Sequence, residues 1–198
     1  MDEAVLRSMA KWPNVPHVYG WLQLDRRGTW LIKGERISNR SVTEFICRNY
    51  QADERGRWYF QNGPQRVFVR LEYTPFVVVT GAGEDLLEAH TGRPVDKVSG
   101  AWVDDAGSLL LRWGAGIGVM NDRDLAAQMA HFTDVRGNVI DDALLARAFD
   151  PQARRHATGV FFEHGGNRVP IGRIQAGEVP QKFGFDPDPR PAPGEPEC

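Results

Sequence analysis

A stretch of twelve residues returns about a hundred positions later, altered but without a gap, and this limits the fold more than any other feature. Residues 58–69 read WYFQNGPQRVFV and residues 160–171 read VFFEHGGNRVPI. Phe60/Phe162, Gly63/Gly165, Arg66/Arg168 and Val67/Val169 are identical, while Gln61/Glu163, Gln65/Asn167 and Val69/Ile171 are similar. In both places aromatic and β-branched residues flank a glycine-containing turn, the composition of a β-hairpin. In the first copy, strand alternation sends Val67, Val69, Leu71 and Tyr73 to one face and Arg66, Phe68, Arg70 and Glu72 to the other.

A second pairing supports duplication over chance. DRRGTWLIKGERI (25–37) and DDAGSLLLRWGAGI (104–117) share an Asp-x-x-Gly turn, an apolar run, a glycine and an isoleucine, with one residue inserted in the second. Each is followed by a helix-like segment and then by another Asp-x-x-Gly, Asp53–Gly56 and Asp134–Gly137. Asp at the first position of a type I turn bonds the backbone, and Gly at the fourth closes it. The offset between copies is 79 at Gly28/Gly107 and 102 at Phe60/Phe162, which places an insertion near residues 138–158. The chain reads as a tandem duplication. The expected fold is α+β, with two related lobes in which curved antiparallel sheets pack around short helices.

The expected divisions are an N-terminal lead-in (1–19), a first lobe (20–98), a second lobe (99–185) and a disordered Pro-rich tail (186–198). Ser41-Val-Thr-Glu44 has the pattern of a capping box for a first helix, with Val42, Phe45, Ile46 and Asn49 on one face. A matching helix is expected over 124–132, and another in the insertion, capped by Asp141 or Asp142. LLEAHT (86–91) reads as a strand. DPDPRPAPGEPEC has little to bury.

Short motifs carry a family resemblance. Gly28-Thr-Trp30, Gly34 and Ile37, then a helix, then Asp53-x-x-Gly56-x-Trp-Tyr-Phe60 and Val69-Arg-Leu-Glu72-Tyr-Thr-Pro75-Phe76 resemble the bacterial domain-of-unknown-function family 1285, or a sister family. The resemblance covers about residues 20–80 and departs at Tyr73, where that family tends to have Asp. It implies two similar α+β lobes, no established activity, and a regulatory or small-molecule-binding role.

Charge and composition remove several functional classes. A formal charge of −2 and a pI near 6.2 offer no broad attraction to nucleic acid or anionic lipid. The first residues, MDEAVLRSMAKW, lack the basic start of a signal peptide, and no apolar run reaches membrane-spanning length. With Cys47 in a predicted helix and Cys198 last, no disulfide framework is expected, and a cytoplasmic setting follows.

No catalytic motif stands out. Gly114-Ala-Gly-Ile-Gly118 is not G-x-G-x-x-G and lacks the Lys-Ser/Thr of a P-loop, so a glycine-rich turn is the simpler reading. The five histidines show no zinc spacing, and no G-x-S-x-G occurs. Neither cofactor nor metal is expected. Asp25 and Glu72 form at most one carboxylate pair among many that 26 acids offer.

Arg66 and Arg168 stand out because they recur at equivalent positions. Either each guanidinium pairs with an acid or turn carbonyl to hold its hairpin, or it faces a crevice between lobes and binds a carboxylate or phosphate. Arg70, Glu72 and His164 are grouped with them as candidate ligand-binding residues. The expected function is a non-enzymatic small-molecule-binding or regulatory protein for an anionic ligand. A protein–protein interaction module or homo-oligomer is one alternative, and an enzyme with spatially assembled carboxylates is another.

Overall fold

A computed structural model of the chain describes residues 1–12, 15–83, 86–150 and 158–192. They form two compact units, Met1–Pro75 with Gly184–Cys198, and Phe76–Phe183. Each holds one curled sheet, of six strands in the first and eight in the second.

The first unit begins with helix α1 (Glu3–Lys11), then β1 (Val18–Leu24), β2 (Trp30–Ile32) and β3 (Glu35–Arg36). Helix α2 (Arg40–Arg48) and strands β4 (Tyr50–Ala52), β5 (Trp58–Asn62) and β6 (Gln65–Leu71) complete it, in the sheet order β3-β2-β1-β6-β5-β4. The second unit begins with β7 (Phe76–Thr80) and β8 (Leu87–Ala89), then repeats the pattern. Strands β9 (Gly100–Val103), β10 (Leu109–Trp113) and β11 (Gly116–Met120) lead to a 3-10 helix (Leu125–His131) and β12 (Phe132–Thr133). Helix α3 (Asp142–Phe149), strands β13 (Phe161–His164) and β14 (Asn167–Arg173), a 3-10 turn and helix α4 (Val179–Phe183) follow.

The order of the second sheet is β12-β13-β14-β9-β10-β11-β7-β8. Matching β1–β6 to β9–β14 makes the two orders identical, with β7 and β8 added at one edge. Register agrees to the residue: Phe60 faces Val67 and Gln61 faces Arg66 in one copy, Phe162 faces Val169 and Glu163 faces Arg168 in the other. Most strand pairs are antiparallel. The first and last strands of each copy, β1 with β6 and β9 with β14, run parallel. In the first of these pairs the register shifts between Val18 and Leu22, where Gly20 takes a φ of 73° and bends the strand.

The four Asp-x-x-Gly turns share one geometry. At Asp25, Asp53, Asp104 and Asp134, the carboxylate oxygen Oδ1 accepts the N–H groups two and four residues on. In each the glycine N–H donates to the aspartate carbonyl. At Asp53 the turn also carries an ion pair, because Arg57 Nε donates to its Oδ2 at 2.7 Å with both side chains 11% exposed. Burial raises the Asp53 pKa, but the Arg57 guanidinium and the Arg57 and Arg55 N–H groups outweigh it and hold the carboxyl below its ordinary value.

In the first unit Ile46 of α2 is buried, as are Trp30, Tyr50, Val69 and Leu71 of the sheet and its flanks. Phe45 meets Phe60 edge-on at 5.4 Å, and burying a side chain such as Ile46 contributes about 1.5–3 kcal/mol. The helix starts two residues earlier than its Ser41/Glu44 pattern suggests. Asn39 accepts the Val42 N–H and takes the cap, which leaves Glu44 to pair with Arg40, while Val42 is exposed. The sheet's other face carries Tyr19 stacked on Phe68 at 4.6 Å, with Tyr59 beside them.

In the second unit Leu109, Leu110 and Leu111 are all fully buried, so β10 is covered on both faces. Phe183 of α4 packs on Trp102, the cross-strand neighbour of Leu110. The segment after β11, expected as an α-helix, is 3-10. Glycines 114–118 form a hairpin tip and the start of β11, and no helix follows them directly. An added Cβ at Gly118 would lie 2.9 Å from Val78 Cγ2 and 3.1 Å from both the Phe76 carbonyl oxygen and Trp113 Cη2.

From Phe185 the chain returns to the first unit. Phe185 is buried, the Asp186 N–H donates to the Gly56 carbonyl, and the Pro187 carbonyl accepts the Leu71 N–H. The stretch expected to be disordered is thus tied down as far as Pro187, and residues 193–198 lie outside the described residues. The expected insertion near 138–158 supplies α3, capped by Asp141. Its residues 151–157 are also outside.

Two outcomes follow for stability. Asp53→Ala should cost on the order of 2–4 kcal/mol in urea unfolding at neutral pH, more than Asp134→Ala. Because the folded pKa is depressed, the Asp53 contribution is present above its unfolded value of about 3.9 and is lost as pH falls through the folded value. The variant should therefore lose less stability on acidification than the parent. Gly118→Ala should lower the urea midpoint by the equivalent of about 1–3 kcal/mol without altering the slope.

Candidate functional site

The two repeated hairpins present equivalent tips. In each copy the first residue of the last strand ties the tip to the segment leading into the first strand. Gln65 Nε2 donates to the Pro16 carbonyl at 2.9 Å, and Asn167 Nδ2 to the Val98 carbonyl at 3.3 Å. The second tip is Gly165-Gly166, both with the positive φ (56° and 74°) that a two-residue I′ loop requires. At Gly165 a side chain is excluded twice over, since the Asp96 carbonyl occupies the place of a Cβ.

Around that tip lies an open depression of about 320 Å³, lined by His131, Glu163, His164, Gly165, Gly166, Asn167 and Arg168. His164 is buried, and its Nε2 lies 2.7 Å from the Val95 carbonyl, which makes that nitrogen the protonated donor. The His131 ring sits 6.2 Å from it, edge-on. The Gly165 and Gly166 N–H groups donate no hydrogen bond among the described residues.

Arg168 is exposed and held at several points. Its Nε is 3.0 Å from Glu163 Oε1 and 3.3 Å from Thr133 Oγ1, its Nη2 donates to the Asp134 carbonyl, and its guanidinium carbon lies 3.9 Å from the Phe161 ring centre. Thr133 Oγ1 in turn donates to Glu163 Oε1 at 2.9 Å. Arg168 and Glu163 together form a strut between β12, β13 and β14.

Arg66 shares the ring contact and lacks the acid. Its guanidinium carbon lies 4.7 Å from the Tyr59 ring centre, and it makes no ion pair among the described residues. Its cross-strand neighbour Gln61 is fully buried and donates Nε2 to the Gly63 carbonyl at 2.9 Å. Arg70 is exposed and has no ion pair among the described residues. It is four residues from Arg66 along β6, roughly 13 Å, too far for one small carboxylate to reach both. Glu72 accepts the Arg26 N–H at 3.1 Å, and Asp25 is committed to its own turn.

Of the five residues grouped from the sequence, His164 and Arg168 share the depression. Arg66, Arg70 and Glu72 lie in the first unit. Sequence reasoning did not find His131, which ends the 3-10 helix, or Thr133, whose hydroxyl meets Glu163 only through strand pairing. Among the described residues no group of three or more His, Cys, Asp or Glu is placed to hold a metal ion, and no helix is long and apolar enough to cross a membrane.

The folded chain is a two-copy α+β protein with a polar depression at the hairpin tip of its second copy. The family model DUF2944, described as "Protein of unknown function (DUF2946)", matches residues 1–190, and the chain belongs to that family. No curated protein matches it. Among solved structures, a DUF1285 family protein from Silicibacter pomeroyi DSS-3 is similar with a TM-score of 0.53 at 17% identity, over 81% of this chain and 85% of that one. A DUF1285 family protein from Shewanella baltica OS155 gives a TM-score of 0.38 at 13% identity, over 52% of this chain and 84% of that one. The Silicibacter likeness is one of fold, and it agrees with the family resemblance read from the motifs of the first copy.

The two arginines should separate on mutation. Arg168→Ala should destabilise by about 1–2 kcal/mol, since it strands Glu163 and releases a turn carbonyl. Arg66→Ala loses only its ring contact, worth less than about 1 kcal/mol. Parallel thermal melts of the two variants check the ranking.

Proposed function

We propose that this protein is a non-enzymatic, regulatory type of small-molecule-binding protein, and that the depression at the second copy's hairpin tip takes a small anionic ligand bearing a carboxylate or phosphate. The reading rests on one observation. Two adjacent peptide N–H groups, of Gly165 and Gly166, lack acceptors among the described residues and lie beside His131, His164 and Arg168. Successive N–H groups in a left-handed turn make a concave donor site suited to an anion oxygen. Among the described residues the one carboxylate lining the depression, Glu163, is already matched by Arg168 and Thr133, so its repulsion of an anion is largely cancelled. Small-molecule sites gather a few convergent polar groups of this kind.

Thermal melts of the full chain against inorganic phosphate and succinate, at matched ionic strength, test the reading. A ligand that binds only the folded state stabilises it by about 2.7 kcal/mol at a hundredfold excess over its Kd. The melting temperature should climb with ligand concentration, and His131→Ala, compared with its own ligand-free melt, should lose most of that climb. A flat response to both anions, or an undiminished response in His131→Ala, overturns the assignment.

A further inference from the structure

The second copy holds an acid at a position where the first has an amide. Thr133 and Gln51 are equivalent, since Thr133 pairs with Phe161 as Gln51 pairs with Tyr59. By the same register Glu163 matches Gln61 and Arg168 matches Arg66. In the second copy, the Glu163 carboxylate sits between the Thr133 hydroxyl and Arg168 Nε, with the guanidinium lying over Phe161. In the first copy the guanidinium still lies over an aromatic ring, and Gln51 still offers a donor at the position of Thr133. The acid between them is gone. Gln61 turns inward to the Gly63 carbonyl and does not replace it.

We propose that Gln51, Tyr59 and Arg66 form a binding site for the carboxylate of a small organic acid, with the ligand carboxylate standing where Glu163 stands in the other copy. Three further observations fit. Arg66 and Gln51 are both half-buried, so a carboxylate seated there is partly shielded from water and its charge-assisted bonds are strengthened. Gln51 Nε2 spends one hydrogen on the Tyr59 hydroxyl at 2.7 Å and keeps a second. Tyr59 stays a neutral phenol because burial outweighs the charge of Arg66 beside it, so no phenolate competes with the ligand for the guanidinium. This site is independent of the depression in the second unit, and either can fail without the other.

Propionate is the free form of a glutamate side chain and is the natural probe, with succinate beside it. Side-chain NMR of the full chain reads the Arg66 Nε–H and Gln51 amide signals during a propionate titration, with sodium chloride at equal ionic strength as control. The main-chain N–H signals of Gly165 and Gly166 report the other site in the same spectra. Saturable movement of the Arg66 and Gln51 signals with propionate but not chloride is expected. In Arg66→Met the Gln51 response should weaken at least about tenfold. Gln61→Glu, which writes the missing acid into the first copy, should abolish it by filling the position from within. Should that variant fail to fold, Arg66→Met alone decides. Unmoved Arg66 and Gln51 signals, or a Gln51 response that persists in Arg66→Met, overturn the proposal.

Discussion

Parallel pairing between the first and last strands of each copy is the constraint on which the rest depends. A parallel neighbour cannot be reached by a tight turn, so everything between β1 and β6, or between β9 and β14, is a crossover that leaves the strand and returns to it. Within that crossover lie a hairpin, a short helix and a second antiparallel strand pair, which in the second copy is split by the insertion that carries α3. Because the last strand must end beside the first, its hairpin tip meets the segment leading in. The amides of Gln65 and Asn167 fasten that meeting in the same way twice.

Duplication on such a frame lets chemistry diverge while geometry is kept. The ring under the arginine is Tyr59 in one copy and Phe161 in the other, and the flanking donor is Gln51 or Thr133. The acid opposite survives only as Glu163. Backbone register depends on hydrogen bonds that every residue except proline can make, so it tolerates these exchanges. A side-chain strut depends on both of its ends, and losing one end turns a brace into an unneutralised cation.

Much of this was legible in the sequence because it is local. The hairpin match predicted two equivalent hairpins, which share one register, and the Asp-x-x-Gly spacing predicted turns that recur four times with one bonding pattern. What escaped is non-local or finely balanced. Nothing in FVVVT says that Phe76–Thr80 pairs with Gly116–Met120, because a parallel partner is chosen across the sheet. Asn39 outcompeted Ser41 as cap from two positions upstream, a choice within the spread of good capping residues. Arg168 was visible by recurrence, whereas His131 and Thr133 reach the site through strand placement alone. The ordered part of the tail escaped because Phe185 and two main-chain bonds hold it, and composition records neither.

The return of the chain at Gly184 has a consequence for how the protein is made. The first unit is discontinuous: residues 1–75 are joined by a closing segment that follows the whole second unit. A ribosome delivering about 5–20 residues per second therefore releases all of Phe76–Phe183 before the Leu71 N–H can meet the Pro187 carbonyl. The part translated first is the part finished last. During synthesis its sheet waits with the Gly56 turn uncovered, and the emergence of a few residues around Phe185 acts as the latch that completes it.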